Sequence, residues 1–211
     1  ALVQWWRYAY AGSGNYKYLP GTHSYFGRDC WWRHEGGCTF CSWTNTYKNF
    51  RVVTVDRAMA EVEACASMGI REIFDDTGTF PIGNWLHDFC DQLRKFNGGK
   101  RHGKAKITVG CNMRPGALRK TEWRLLGRSG FRFILFGLES ANLASLQRIN
   151  KGQHDGDIEQ SCQWAAASGV DPHATCMVGY PWESKADAQK TVQLTQALFR
   201  RGWLKTLQAT I

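Results

Sequence analysis

The 211-residue chain lacks a long apolar run and lacks a leader for export. No stretch approaches the roughly eighteen consecutive apolar residues that a membrane-spanning helix needs. The amino terminus, Ala-Leu-Val-Gln-Trp-Trp-Arg, has no initiator methionine, no charged leader and no cleavage site. We therefore expect a chain that begins and ends within a longer protein and that works in the cytoplasm without membrane contact. Clustered cysteines in such a protein indicate a metal or redox site rather than a disulfide framework.

What is present is ordinary for a globular protein, with 43% apolar and 21% charged residues and enough length for one full core. We predict an aromatic arm or linker over residues 1–21 and a core domain over residues 22–211. The net charge of +9 raises a nucleic-acid interpretation. The only dense basic group lies between residues 94 and 106 without accompanying stacking aromatics, which favours a solvated loop.

Strand and helix patterns alternate about six times along the chain. The alternation indicates parallel βαβ units, and polar residues follow the strands rather than the helices. Such an arrangement is typical of an α/β sheet or barrel whose site lies at the carboxyl ends of its strands. The predicted strands are 22–28, 70–74, 105–109, 131–136, 172–178 and 204–211, and the predicted helices are 55–68, 85–96, 121–128, 141–149, 157–167 and 185–200.

Three thiols, Cys30, Cys38 and Cys41, fall within twelve residues. Electron-carrying iron–sulfur clusters usually take four thiolates, so a set of three leaves one iron of a four-iron cluster open to a small molecule. Gly36 and Gly37 can supply the backbone angles that bring Cys38 back toward Cys30. Other interpretations stay open at this point: a structural Cys3His zinc site that adds His34, a thioredoxin-like pair of Cys38 and Cys41, or inert thiols.

The sequence Cys38-Thr39-Phe40-Cys41, preceded by Cys30, resembles the cluster loop of the radical S-adenosylmethionine (SAM) superfamily. The gap between the first two cysteines is seven residues here and usually three in that family. The resemblance implies that Cys30, Cys38 and Cys41 hold a [4Fe–4S] cluster, that SAM chelates its fourth iron, and that Phe40 packs near the adenine. It also implies a partial (β/α)6 barrel of radical SAM type, truncated at its C-terminal end.

Residues after the second and third predicted strands resemble the family's cofactor-binding positions. Asp75, Asp76 and Thr77 stand where the methionine ammonium of SAM is bound, although the family's common Gly-Gly-Glu is absent. A carboxylate suits an ammonium, but a turn aspartate is the alternative for either residue. Arg114 could meet the cofactor's carboxylate, and a surface arginine is the alternative.

Two later stretches resemble the branches that are linked to a cobalamin-binding domain and the methylthiotransferase branch. Gly137-Leu138-Glu139-Ser140 matches the fourth-strand motif, in which a carboxylate binds the ribose hydroxyls. Val178 and Gly179 match the fifth-strand motif, whose backbone borders the adenine. Plain alternatives are a helix-start carboxylate for Glu139 and a strand-to-helix turn for residues 178–179.

The resemblance implies an enzyme that cleaves SAM reductively to a 5′-deoxyadenosyl radical, with electrons from a donor such as flavodoxin or ferredoxin. For the full-length protein it raises cobalamin-dependent methyl transfer, through a domain not present in this chain. Substrate and catalytic residues beyond the cofactor sites stay unassigned. The alternative function is a non-catalytic, zinc-binding α/β domain that binds RNA. The five remaining cysteines are expected to be buried and inert: Cys65, Cys90, Cys111, Cys162 and Cys176.

Overall fold

Strands and helices alternate through residues 16–211, the part of the chain that the computed structural model describes. The strands are β1 (Gly21–Ser24), β2 (Gly27–Arg28), β3 (Arg51–Val52), β4 (Glu72–Asp75), β5 (Thr108–Met113), β6 (Phe131–Glu139), β7 (Asp171–Met177) and β8 (Thr206–Thr210). The α-helices are Ser42–Thr46, Val55–Ser67, Asn84–Phe96, Lys120–Ser129, Leu143–Arg148, Asp157–Ala167 and Lys185–Arg200. Short 3-10 turns cover Trp31–Glu35 and His102–Lys104.

Six strands form one parallel sheet in the order β1-β4-β5-β6-β7-β8. Each strand therefore pairs with the next sheet strand along the chain, as expected when each crossover contains a helix. β2 and β3 form a separate antiparallel pair. Within the described residues β1 and β8 are the two edges of the sheet, so the (β/α)6 unit is an open, partial barrel. The predicted α/β fold of six repeated units is confirmed.

The helices cover one face of the sheet because side chains alternate between faces along each strand. Ile73, Val109, Ile134 and Ala174 point to the helix side and are fully buried in the main core. The largest fully buried side chain of that core is Trp123 of helix Lys120–Ser129, which packs edge-on against Phe136 of β6 with ring centroids 5.6 Å apart. The five cysteines outside the cluster loop are all buried, as expected. Cys111 and Cys176 belong to this helix-side core rather than to the barrel interior.

The other face of the sheet carries a row of rings across its lower half. Successive ring centroids from His23 to Phe74, Phe133 and His173 lie 5.7–5.9 Å apart. Gly110 lies between Phe74 and Phe133, where an added Cβ would come within 3.2 Å of both side chains. Residues two positions further along these strands point the same way and are closer to the carboxyl ends. This ring row therefore forms the floor beneath the strand-end residues.

A buried ion pair closes the amino-terminal end of the sheet. Arg132 contacts the carboxylate of Glu72, and both side chains are less than a tenth exposed. Glu72 also accepts hydrogen bonds from the backbone amides of Lys17 and Tyr18, at 3.1 and 3.0 Å. The described end of the predicted arm thus contacts the core, and β1 begins at its last residue, Gly21. Residues 1–15 of that arm lie outside the described residues.

Helix starts differ from the sequence prediction in detail. The helix predicted over 85–96 begins at Asn84, and Gly83 precedes it with φ 69°. The helix predicted over 141–149 is shorter, Leu143–Arg148, and Asn142 precedes it. None of the helices found in residues 16–211 is both long and apolar enough to cross a membrane.

Candidate functional site

A cleft lies over the ring row, at the carboxyl ends of β4, β5, β6 and β7. It collects strand-end side chains and the cysteine loop on the face of the sheet opposite the helix-side core. Its lining consists of Cys30, Cys38, Phe40, Cys41, Trp43, Asp76, Gly78, Thr79, Asn112, Met113, Arg114, Leu135, Gly137, Glu139, Lys151 and Thr175. The site is where a parallel α/β sheet is expected to bind its ligand.

The long segment between Cys30 and Cys38 folds back on itself. Asp29, with φ 75°, turns the chain away from β2, and its carboxylate forms an ion pair with Arg33. A single 3-10 turn, Trp31–Glu35, follows, and Gly36 ends it with φ 89°. Gly37, with φ 71°, continues the reversal, so both glycines adopt the left-handed angles that the sequence predicted for them. The seven-residue gap is thus taken up by one helical turn and a glycine reversal.

The three clustered thiols line the same cleft, whereas His34 is exposed and outside the lining. Cys30 contacts the Thr79 hydroxyl at 3.1 Å, and an Arg114 nitrogen lies 3.9 Å from the Cys38 sulfur. Burial raises the pKa of Cys38, while the positive charges of Lys151 and Arg114 oppose the rise. Metal binding would therefore remove a proton from the Cys38 thiol.

The zinc alternative receives no support from this geometry. In residues 16–211 no three His, Cys, Asp or Glu side chains are placed to hold one metal ion. A zinc site brings all its ligands to about 2.3 Å from a single ion. The thiolates of a four-iron cluster each bind a different iron and stand further apart.

The two aspartates at the end of β4, Asp75 and Asp76, have different environments. Asp75 is fully buried and accepts hydrogen bonds from the amides of Phe26, at 2.6 Å, and Thr77, at 3.2 Å. Burial raises the pKa of Asp75 to about 7, although these hydrogen bonds oppose the rise. Asp76 instead lines the cleft and accepts from Asn112 at 3.1 Å and from the Tyr25 hydroxyl at 3.2 Å. The structure therefore places Asp76 at the cleft and Asp75 in the support beneath it.

Glu139 occupies a strained position at the end of β6. The strand register shifts between Gly137 and Glu139, and Glu139 has φ 61°, unusual for a residue with a Cβ. Its carboxylate accepts from the Lys151 ammonium at 2.6 Å, with both side chains 8% exposed. A Cβ added at Gly137 would lie 2.2 Å from that carboxylate and 2.5 Å from the Lys151 nitrogen. Glycine at 137 thus leaves space for this ion pair.

Arg114, at the end of β5, is 6% exposed and is not a surface arginine. Its guanidinium lies over the Trp32 ring, 4.1 Å from the centroid, and donates to the Lys151 carbonyl. The tryptophan face and the carbonyl hold this cation at the wall of the cleft.

The remaining predicted residues divide between the cleft and its surroundings. Phe40 lines the cleft and is 45% exposed, with the Lys151 nitrogen 6.0 Å from its ring centroid. Thr77, Ser140, Val178 and Gly179 do not line it. The Thr77 hydroxyl accepts from the Gly27 amide, and the Ser140 hydroxyl accepts from the Asn142 amide. The Val178 amide donates to the Thr210 carbonyl, and the Gly179 amide donates to the Glu183 carboxylate.

Sequence reasoning missed several cleft residues, above all Lys151, Asn112 and Thr79. Asn112 lies on β5, the strand next to β4, at whose end Asp75 and Asp76 lie. The expectation that polar residues at the carboxyl ends of strands form the site could therefore have identified it. Lys151 follows Glu139 by twelve residues across an intervening helix, and only the fold brings the two side chains together.

The donor set fits a [4Fe–4S] cluster and SAM. Three thiols without a fourth cysteine in the cleft lining match a cluster with one open iron. SAM carries an ammonium, a carboxylate and a ribose diol, and the same cleft presents the carboxylates of Asp76 and Glu139 and the cations Arg114 and Lys151. The ammonium, the carboxylate and the ribose diol of the cofactor thus each have a candidate partner of suitable chemistry.

Comparison with known proteins gives a consistent family and fold. The family model for the radical SAM superfamily matches residues 24–195. The radical SAM methyltransferase TsrM from Kitasatospora setae, with tryptophan substrate and a SAM analogue bound, superposes with a TM-score of 0.77 and 13% identity over 90% of this chain and 35% of its own. The cobalamin-dependent SAM radical enzyme OxsB, with aqua-cobalamin bound, gives a TM-score of 0.67 and 16% identity over 88% and 27%.

Methylornithine synthase, PylB, superposes with a TM-score of 0.61 and 13% identity over 99% of this chain and 57% of its own. At such identities the likeness shows the fold alone. This chain therefore corresponds to 35% of TsrM and 27% of OxsB. No curated protein sequence matches the chain.

Proposed function

Because this chain belongs to the radical SAM superfamily, we propose that Cys30, Cys38 and Cys41 hold a [4Fe–4S] cluster and that SAM binds in the adjoining cleft. The observation that carries the proposal is the joint lining of one cleft by these three thiols and by side chains of both charges. When bound, the cluster supplies one electron that splits a carbon–sulfur bond of SAM, giving methionine and a 5′-deoxyadenosyl radical.

The chain's own residues bind and orient the cofactor. Asp76 is the carboxylate for the methionine ammonium, since Asp75 is occupied beneath it by two backbone amides. Arg114 is the cation for the methionine carboxylate, held in place by the Trp32 ring and the Lys151 carbonyl. Fixing both ends of one small molecule in this way restricts its orientation before the reaction, which is the main contribution of a protein to a cofactor-driven step.

Glu139 is the carboxylate for the ribose hydroxyls, and Lys151 holds it at 2.6 Å. A carboxylate has room for about four hydrogen bonds, so the bond from Lys151 leaves acceptor capacity for the diol. Phe40 supplies an exposed ring beside the last cysteine for the adenine. Val178 and Gly179 are not part of the cleft lining. Their proposed contact with the adenine is therefore made by their backbone and not by a side chain in the cleft.

For the full-length protein we propose cobalamin-dependent methyl transfer, with cobalamin held by a domain outside these residues. The proposal is supported by the similarity of the fold to TsrM and OxsB, whose structures hold cobalamin. An electron donor of the flavodoxin or ferredoxin type would reduce the cluster. Adding hydroxocobalamin to the full-length protein tests this part, with a retained cobalamin absorption spectrum as the expected result.

Anaerobic reconstitution with iron and sulfide tests the cluster assignment. We expect about four irons per chain and formation of 5′-deoxyadenosine from SAM under dithionite. Single Ser substitutions at Cys30, Cys38 and Cys41 should each abolish both, while Cys162→Ser, in the helix-side core, should retain the iron. One tightly bound zinc and no iron would contradict the proposal.

A further inference from the structure

The turn that follows helix Leu143–Arg148 contacts the cysteine loop, and the Asn150 side chain makes two of the hydrogen bonds between them. The Asn150 carboxamide donates to the carbonyl of Glu35 at 2.8 Å and to the carbonyl of Gly37 at 2.7 Å. Gly37 directly precedes Cys38. One side chain thus holds the reversal that returns the chain to the second cysteine.

The cysteine loop in turn donates hydrogen bonds to backbone carbonyls of this turn. The Trp32 indole nitrogen donates to the Asn150 carbonyl at 2.8 Å, and the Thr39 amide donates to the Ile149 carbonyl at 3.0 Å. Asn150 has φ 51°, a region that asparagine enters more readily than most residues with a Cβ. The turn therefore presents both its backbone and its side chain to the segment between Cys30 and Cys41.

The next two residues extend this contact to the cofactor-binding side chains. Lys151 donates to Glu139 at 2.6 Å and accepts from Arg114 through its carbonyl. Gly152 lies against Trp32, where an added Cβ would come within 2.0 Å of the indole ring. Residues 150–152, which we call the anchor turn, thus connect the cysteine loop to both Glu139 and Arg114.

We propose that Asn150 is a positioning residue for Cys38. Its carboxamide fixes the carbonyls of the glycine reversal, so that a loop with a seven-residue gap still delivers the Cys38 sulfur to the cleft. A free loop of this length would have to be ordered when the cluster binds, which weakens metal retention. The inference rests on the proposed function, because it concerns the same cluster ligands.

The test compares Asn150→Asp and Asn150→Gly with a matched control, Asn97→Asp. Aspartate and glycine both tolerate a positive φ, so neither variant strains the backbone. Asn97 also donates its carboxamide to two carbonyls, those of Ile107 at 3.1 Å and Ser129 at 3.3 Å, but these carbonyls lie before β5 and β6, at the opposite end of the strands from the cluster cysteines. The control therefore loses the same kind of contact in the supporting fold alone.

The measurement is iron retained per folded chain after reconstitution, titrated with a chelator, together with the electron paramagnetic resonance spectrum of the reduced cluster. Loss of a residue that supports a metal ligand typically lowers affinity about 10-fold to 100-fold. We expect both Asn150 variants to release iron at a correspondingly lower chelator concentration and with an altered spectrum. Asn97→Asp should lower only the thermal midpoint of the apo chain.

Wild-type retention and an unchanged spectrum in both Asn150 variants would overturn the inference, as would an iron loss no larger than that of Asn97→Asp. If Asn150→Asp fails to fold, Asn150→Gly decides, because it removes the same two contacts without placing a charge near the carbonyls. A wild-type chain that binds no iron would instead refute the proposed function, and the inference with it.

Discussion

At the scale of single residues, the cleft depends on charges that are buried in pairs. Glu139 and Lys151 are each 8% exposed and compensate one another at 2.6 Å. A buried pair of this kind adds little net stability, because desolvation offsets the attraction. Its value here is geometric, since it holds a carboxylate at a residue with φ 61°.

Lys151→Met tests that pairing. Removing one partner leaves a buried carboxylate without its cation, so we expect the free energy of unfolding to fall by about 3 kcal/mol. Urea denaturation of the apo chain at neutral pH measures the loss. The double variant Lys151→Met/Glu139→Gln should recover much of it, because the unpaired charge is gone. Equal and additive losses in a double-mutant cycle would show that the two side chains do not interact.

Asp75 gives the fold a pH dependence of its own. Burial raises the pKa of Asp75 to about 7 in the folded chain, against about 3.9 when unfolded. The folded state thus holds the proton more tightly, so the contribution of this carboxyl to stability decreases as the pH rises from about 4 to about 7 and is constant above that.

Unfolding free energies of wild type and Asp75→Asn across this pH range provide the measurement. We expect the wild-type value to fall relative to that of the variant as the pH rises from about 4 to about 7. Parallel curves for the two proteins would show that Asp75 ionises in the folded chain as it does in the unfolded one.

At the scale of elements, the cysteine loop and the anchor turn pack against each other through several hydrogen bonds. Trp32 packs on Gly152, whose φ of 61° and missing Cβ both suit the contact. The loop has only one 3-10 turn of its own, Trp31–Glu35, so its conformation depends on these contacts with residues 149–152.

Gly152→Ala, compared with Gly156→Ala, separates packing from backbone strain. Both glycines have positive φ, 61° and 79°, but only at Gly152 would a Cβ meet another atom, 2.0 Å away in Trp32. Each substitution should cost about 1–2 kcal/mol of backbone strain, and Gly152→Ala about 1–3 kcal/mol more from overpacking. Thermal or urea unfolding of the two variants measures the difference. Equal destabilisation would argue against the Trp32 contact.

The order and type of the main elements were predictable because hydrophobic periodicity is local. Their limits were less so: the strand expected at 105–109 is observed at Thr108–Met113, since its pairing with Asp75 and Phe136 is a long-range property. For the site, the resemblance to the radical SAM family pointed to Asp75, Asp76, Arg114 and Glu139, and all of these except Asp75 line the cleft. The resemblance could not distinguish Asp76 from its neighbour Asp75, because two adjacent aspartates at the end of a strand differ only in the direction in which their side chains point.

Lys151 and the anchoring role of Asn150 escaped the sequence for a related reason. The hydrogen bonds of Asn150 join residues that are 113 to 118 positions apart in the sequence, and no local sequence pattern indicates such contacts. The likeness to a cluster loop drew attention to the cysteines, whereas the residues that hold that loop became visible only in the folded chain.

At the scale of the whole molecule, the parallel sheet separates structure from function. One face of the sheet and its helices form the core, and the other face carries the ring row with the cleft above it. Because all six strands run in the same direction, their polar carboxyl ends lie at the same end of the sheet, and the cysteine loop after β2 lies at that end too. We therefore predict one cofactor site, with three protein ligands and one exchangeable position.

Mössbauer spectroscopy of the chain reconstituted with iron-57, before and after addition of SAM, tests this claim most directly. We predict a four-iron cluster in which SAM changes the isomer shift and quadrupole splitting of one iron and leaves the other three unchanged, because only one iron lacks a cysteine. A spectrum that SAM does not alter, or a cluster whose four irons are all held by protein ligands, would contradict it.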